Sequence, residues 1–318
     1  MTVAYLLLDG TPQRLSLEEA ERLAPGQQFL WLHLDGRDEA SLEKVRADES
    51  IPLAARSALF AHETRPRCTV MNGGALINLR GLGSTPADDP DPLVSIRIWT
   101  EKGRAITVSF RNIAAYAPVA DRFMDGRILD PGDLISAIAD EITDSLDPDV
   151  AALGDRLDEI ESALDGMPPT KLRRQVAEIR SQAIIYRRFI VPQRQALERI
   201  AQNELSWLDP ADHVHLREAA DRCARMAEEL EAVRERSALA HEELTDLRAE
   251  QLDRRSLLIS IVALIFLPVT FVTGLLGMNV EGIPFAQERW AFWGVFAFCA
   301  LIAAAVGLWF TVTRWVNR

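Results

Sequence analysis

The chain has 318 residues, a formal net charge of −12 and 48% hydrophobic residues. Excess acid without a basic patch excludes a nucleic-acid binder, which needs Lys and Arg against phosphate. Cys68, Cys223 and Cys299 are far apart with no CxxC spacing, which excludes a disulfide framework and a structural zinc cluster and fits a reducing compartment.

In chain order, Met1–Tyr5 has no basic stretch ahead of an apolar run, so no cleaved signal peptide is expected. Val3–Leu8 reads as a strand ended by the turn signal Asp9-Gly10, and Phe29–Leu34 as another ended by Asp35-Gly36. Ser16–Leu23 and Glu39–Ala47 are predicted helices. Ser16 with Glu19 makes a capping box, in which each side chain satisfies the other residue's free backbone N–H. Ala75–Leu79, Leu93–Trp99 and Ala105–Phe110 carry the β-branched alternation of strands, with a hairpin turn at Glu101-Lys102-Gly103. Thr85–Pro92 is a Pro/Asp loop.

From about Pro131 the pattern turns helical. Asp133–Leu164 holds one or two helices, broken at Gly166-Met167-Pro168-Pro169. A second helix runs from Thr170 to about Glu204, with Pro192 inside it. No Pro or Gly occurs between Pro210 and Pro268, so one helix is predicted from about Ala211 into the apolar region, close to 100 Å at ~1.5 Å per residue. Cys223, Met226, Leu230, Val233, Ser237, Ala240, Leu244 and Leu247 form a heptad-like seam on it, for packing on neighbouring helices or subunits.

The last sixty residues carry two apolar runs. Residues 257–276 and 290–312 are each long enough to span a bilayer, with the loop 277–289 between them. Arg254 and Arg255 precede the first run, and Arg314 and Arg318 follow the second. Basic flanks favour the cytoplasmic side, so both termini are expected inside. Trp290, Trp293, Trp309 and Trp315 mark the interfaces. Two helices cannot enclose a pore, so a pore requires several copies. The expected division is a cytoplasmic α/β domain (1–132), a helical stalk (133–255) and a transmembrane hairpin (256–318).

Alternating three- and four-residue steps through the first run give Asp253, Ser256, Ser260, Ala263, Leu267, Thr270 and Gly274. This face is small or polar, while the rest of the run is bulky. Such a stripe serves either helix–helix packing or a water-filled pore. Glu250, Asp246 and Glu243 continue it toward the charged end, as a cation pathway needs. Gly277, Met278, Asn279 and Glu281 offer amide and carboxylate oxygens at the other end. His213 and His215, beside Asp212, are a second metal candidate in the soluble part. His33, His62 and His241 are isolated and read as structural.

Gly277-Met278-Asn279, placed between two C-terminal spans, resembles the signature of the CorA-type metal ion transporters. Ser260–Val280, Gly282-Ile283-Pro284, Trp31–Asp35, Ile96–Trp99 and Pro192-Gln193-Arg194 are similar to the ZntB zinc-transporter branch. The resemblance implies a funnel-shaped homopentamer in the bacterial inner membrane, made of an α+β cytoplasmic domain, a long helical stalk and two C-terminal transmembrane helices. It also implies that Asn279 makes the selectivity contact with a hydrated ion and that transport is coupled to protons. Glu281 is an acid of the kind often found there in magnesium-type members.

Zinc is the first expectation for the cargo, with magnesium, cobalt and nickel as alternatives, and no permanently bound cofactor. The stripe and loop hold oxygen donors only, which suit a hard hydrated ion, yet a transport site must also release its ion. No GxxxxGK[ST] phosphate loop and no nucleophile–base set occur, so neither ATP drive by this chain nor an enzyme is expected. The competing class is a membrane-anchored sensor or scaffold, which would need neither the polar stripe nor Asn279.

Overall fold

The computed structural model describes residues 2–22, 29–61, 65–84, 92–163, 169–279, 282–283, 285 and 288–316. Two turns organise its sheet. Asp9 and Gly10 have φ of 47° and 77°, and Asn72 and Gly73 have 52° and 76°. Positive φ at both central residues gives the hairpin turn whose twist matches its strands, and Asp/Asn-Gly tolerates it best. The first turn joins β1 (Val3–Leu8) to β2 (Thr11–Leu15), and the second joins β4 (Arg67–Met71) to β5 (Gly74–Leu82). With β3 (Phe29–Asp35), β6 (Leu93–Glu101) and β7 (Arg104–Ser109), they form one sheet in the order β2-β1-β3-β7-β6-β5-β4. Only β3–β7 is parallel. The predicted turn at residues 101–103 closes β6 onto β7, with Glu101 opposite Arg104.

The helices are α1 (Leu17–Arg22), α2 (Glu39–Ala47), α3 (Leu53–Leu59), α4 (Tyr116–Met124), α5 (Pro131–Ser162), α6 (Pro169–Ala201), α7 (Pro210–Leu276) and α8 (Ala291–Val316). The capping box forms as predicted: Ser16 N donates to Glu19 Oε2 at 2.8 Å, and Glu19 N donates to Ser16 Oγ at 3.3 Å. β2, β4, α3 and α4 had no counterpart in the sequence reading. β2 has no fully buried residue and is mostly polar, so it lacks an apolar alternation. β4 was legible from Asn72-Gly73 at its end.

Side chains alternate across the sheet. Leu32, Leu34, Leu76, Trp99, Ile106 and Val108 meet α2 and α3 in one core. Trp31 and His33 point the other way, to Tyr116 and Phe123 of α4. Two compact units result, Met1–Glu242 and Glu243–Arg318. The first joins stretches that the sequence separates at residue 132, because α5 and α6 lie on β5 and β4.

Within that unit α5, α6 and the start of α7 form a three-helix bundle. Asp130 caps α5 by accepting from Asp133 N at 2.9 Å. Pro131 occupies the first turn, where no N–H is needed. Gly132 is required, since a Cβ there would lie 2.0 Å from Asp212 Oδ2. The α7 seam from Cys223 to Ala240 is buried in this chain. Arg222 bonds Asp140 and Thr143 of α5, and Arg236 bonds Asp158 and Glu161.

Candidate functional site

The second unit contains the apolar stretch of α7 and all of α8. Both helices are long and apolar enough to cross a membrane. α7 runs unbroken through Pro268 to Leu276. It stops where Gly277 N donates to Thr273 O at 3.0 Å, and a Cβ on Gly277 would sit 3.1 Å from that same carbonyl. Glycine therefore lets the chain turn away closely at the helix end.

Most of the apolar stretch of α7 is exposed in the single chain, bulky residues such as Leu258, Phe266 and Phe271 included. Asp253, Ser256, Ser260, Ala263, Leu267, Thr270 and Gly274 are all exposed in the single chain. Ile261, Ile265, Pro268, Val269, Val272 and Leu276 are partly covered. At ~100° per residue these sets lie on opposite sides of the helix. On α8 the partly covered positions also share one face, including Ala291, Val295, Cys299, Ile302 and Val306. Among the described residues the stripe on α7 is exposed along its length.

Two hydroxyls along this stretch are oriented. Ser260 Oγ donates to Ser256 O at 2.9 Å. Thr273 Oγ1 donates to Val269 O at 3.0 Å and Thr270 O at 3.2 Å. Their protons are spent on the helix, so each oxygen presents lone pairs outward, as a cation requires. Thr273 is not on the predicted stripe. It follows Val272 of the partly covered face and precedes Gly274 of the stripe.

The turn between the spans exposes Met278 and Asn279. Gly282 has φ of 98° and Phe285 of 59°, and the Phe285 ring lies 5.2 Å from Trp290. Ala291 N donates to Glu288 O at 3.1 Å, which starts α8. Glu281 lies outside the described residues. At the charged end of the stripe Glu243, Asp246 and Glu250 are exposed, and Glu250 is bonded to Arg254 at 2.5 Å.

The histidine pair in the soluble part is not brought onto one ion. Residues two apart on a helix point to different sides. His213 Nδ1 donates to Ala201 O at 2.8 Å, whereas His215 Nδ1 lies 3.6 Å from Asp140. Asp212 is buried and accepts from Asp209 N at 2.9 Å and Ser136 Oγ at 3.3 Å, so it holds the start of α7 against α5. Among the described residues no group of three or more His, Cys, Asp or Glu is placed to hold a metal. His33 is structural: it stacks on Tyr116 at 4.0 Å and shares Thr107 Oγ1 with Trp31 Nε1, both at 2.9 Å. Burial lowers its pKa to about 4.

The soluble unit followed by two long apolar helices is the architecture of a metal-ion transport family rather than of an enzyme. The chain belongs to the family described as CorA-like Mg2+ transporter protein, whose family model matches residues 26–314. It is 33% identical over 291 residues, 91% of this chain and 86% of the relative, to the zinc transport protein ZntB of Pectobacterium carotovorum subsp. carotovorum (strain PC1). Its fold is similar to that of the full-length CmaX protein, with a TM-score of 0.80, 27% identity and coverage of 96% of this chain and 97% of that one. The CorA magnesium transporter of Methanocaldococcus jannaschii shares the fold at a TM-score of 0.80 and 17% identity, over 98% of this chain and 97% of that one.

Proposed function

We propose that this chain carries divalent metal cations, zinc first, across the bacterial inner membrane as a homopentamer, through a pore lined by the first span of each copy. The observation that carries the reading is the stripe from Ser256 to Gly274, polar or small apart from Leu267 and exposed in the chain, opposite a partly covered face. Lipid is a poor neighbour for Ser260 and Thr270, and a water-filled axis is a good one. Basic residues at 254 and 255 support a cytoplasmic side for both termini.

In this reading Asn279 contacts the incoming hydrated ion, and Glu281 raises the local cation concentration without coordinating it. Leu267, 75% exposed, contributes a ring of isobutyl groups that gates by excluding water. Asp253, Glu250, Asp246 and Glu243 draw the ion through on the cytoplasmic side. Zinc is supported by the ZntB relatives. A magnesium or cobalt channel is the second reading, favoured by the oxygen-only donors of the stripe and turn. Proton coupling belongs to the zinc reading.

Uptake into proteoliposomes decides between them, with zinc, magnesium, cobalt and nickel in parallel. Zinc uptake that rises when the outside is acidified supports the coupled zinc reading. Magnesium preference without a pH effect supports the second reading. No flux of any ion from an intact oligomer leaves a membrane-anchored scaffold.

A further inference from the structure

The long helices of the first unit divide their charge unevenly. α5 holds ten acidic residues and one arginine, whereas α6 holds eight basic residues and two glutamates. Much of this charge is used inside the chain. Arg222 and Arg236 of α7 tie down the two ends of α5, and Arg187 of α6 pairs with Glu231 of α7 at 2.9 Å. Between the two α5–α7 bridges, Asp147 and Asp155 are exposed and meet no cation among the described residues. They face Glu229 of α7, whose pKa is raised by burial and then by these two carboxylates. On α6, Arg180 and Arg188 are exposed and meet no carboxylate among the described residues.

These two pairs match in spacing and in height. Each pair is separated by eight positions, about 12 Å along a helix. Tyr186 donates to Asp149 at 3.0 Å, and Arg156 donates to Gln182 at 2.6 Å. These bonds align the antiparallel helices so that Arg188 is level with Asp147 and Arg180 with Asp155. One patch borders α7 on the α5 side, and the other borders it on the α6 side. A closed ring of identical chains joins unlike edges head to tail, and rotation about an axis along the helices preserves height.

We propose that the Asp147–Asp155 edge of α5 in one copy docks on the Arg180–Arg188 edge of α6 in the next copy, with Asp147 facing Arg188 and Asp155 facing Arg180. The inference rests on the homo-oligomeric reading above and adds which edges meet. Exposed pairs of this kind fix register and partner choice more than they add affinity.

The test uses the full-length protein in native membranes, with Cys68, Cys223 and Cys299 replaced by alanine. Asp147→Cys with Arg188→Cys in one chain should oxidise to covalent dimers and higher species on a non-reducing gel. Asp147→Cys with Arg174→Cys, which differ in height, should not. In detergent, Arg188→Glu or Asp147→Arg should each weaken assembly about tenfold, and the two together should restore it. Assembly that stays oligomeric by light scattering, without cross-link or restoration, overturns the docking and leaves the oligomer standing. A monomeric parent protein overturns the oligomer itself. Cross-linking of Asp155→Cys with Arg180→Cys that needs an added divalent ion and survives Arg188→Glu assigns the acidic edge to a metal and overturns the proposal.

Discussion

Asn279 and His33 are polar residues in opposite settings, one exposed and one buried. Asn279 stands exposed at the turn after Gly277, where an amide oxygen can meet a hydrated cation. Asn279→Ala is expected to remove most metal flux in proteoliposomes while the oligomer keeps its mass by light scattering. Normal flux would end its role in selectivity. His33 carries a pH signature instead. Its folded pKa is about 4 against an ordinary 6.5, because burial disfavours the imidazolium. As pH falls through 6.5 the unfolded chain takes up the proton first, so stability is full above 6.5 and declines toward 4. The loss is about 3 kcal/mol at most. His33→Gln should flatten the dependence of unfolding free energy on pH by one proton in that window. An unchanged slope would show that His33 is already charged when folded.

At the scale of elements, the proposal gives the stripe of α7 to water. Cysteines at Ser256, Ser260 and Thr270 should react with a small water-soluble thiol reagent. Cysteines at Ile261, Ile265 and Val272, which are partly covered, should not. Thiolate forms only where water reaches, so labelling reports wetness. The three native cysteines are removed first, and labelling is run from both sides with and without metal. Equal reactivity on both faces, or none on the stripe, would leave helix packing as its purpose. The stripe was legible in the sequence because small and polar residues recur at helical spacing against bulky neighbours. The direction of the Ser260 and Thr273 hydroxyls was not legible, since it depends on which carbonyl each one reaches.

For the whole molecule, the division after Glu242 predicts that the first unit carries its own core. A chain ending at Glu242 should therefore be soluble and unfold cooperatively by circular dichroism. Aggregation or a gradual melt would mean that the bundle depends on the spans. The same soluble chain suits the His33 titration.

Local signals were enough to read the spans, the continuous α7, the Ser16–Glu19 box and the hairpin at Gly103. Hydrophobic length, helix breakers and turn residues act over a few positions and need no partner to be recognised. The buried seam from Cys223 to Ala240 was legible for the same reason, although its partner was not. Long-range contacts decided the rest. The single parallel pair β3–β7, the close fit of Gly132 against Asp212 and the separation of His213 from His215 all join residues or helix faces that no local pattern relates. The equal height of Asp147 and Arg188 is of this kind too: it exists only because α5 and α6 pack antiparallel in one register, which the sum of their side-chain contacts selects.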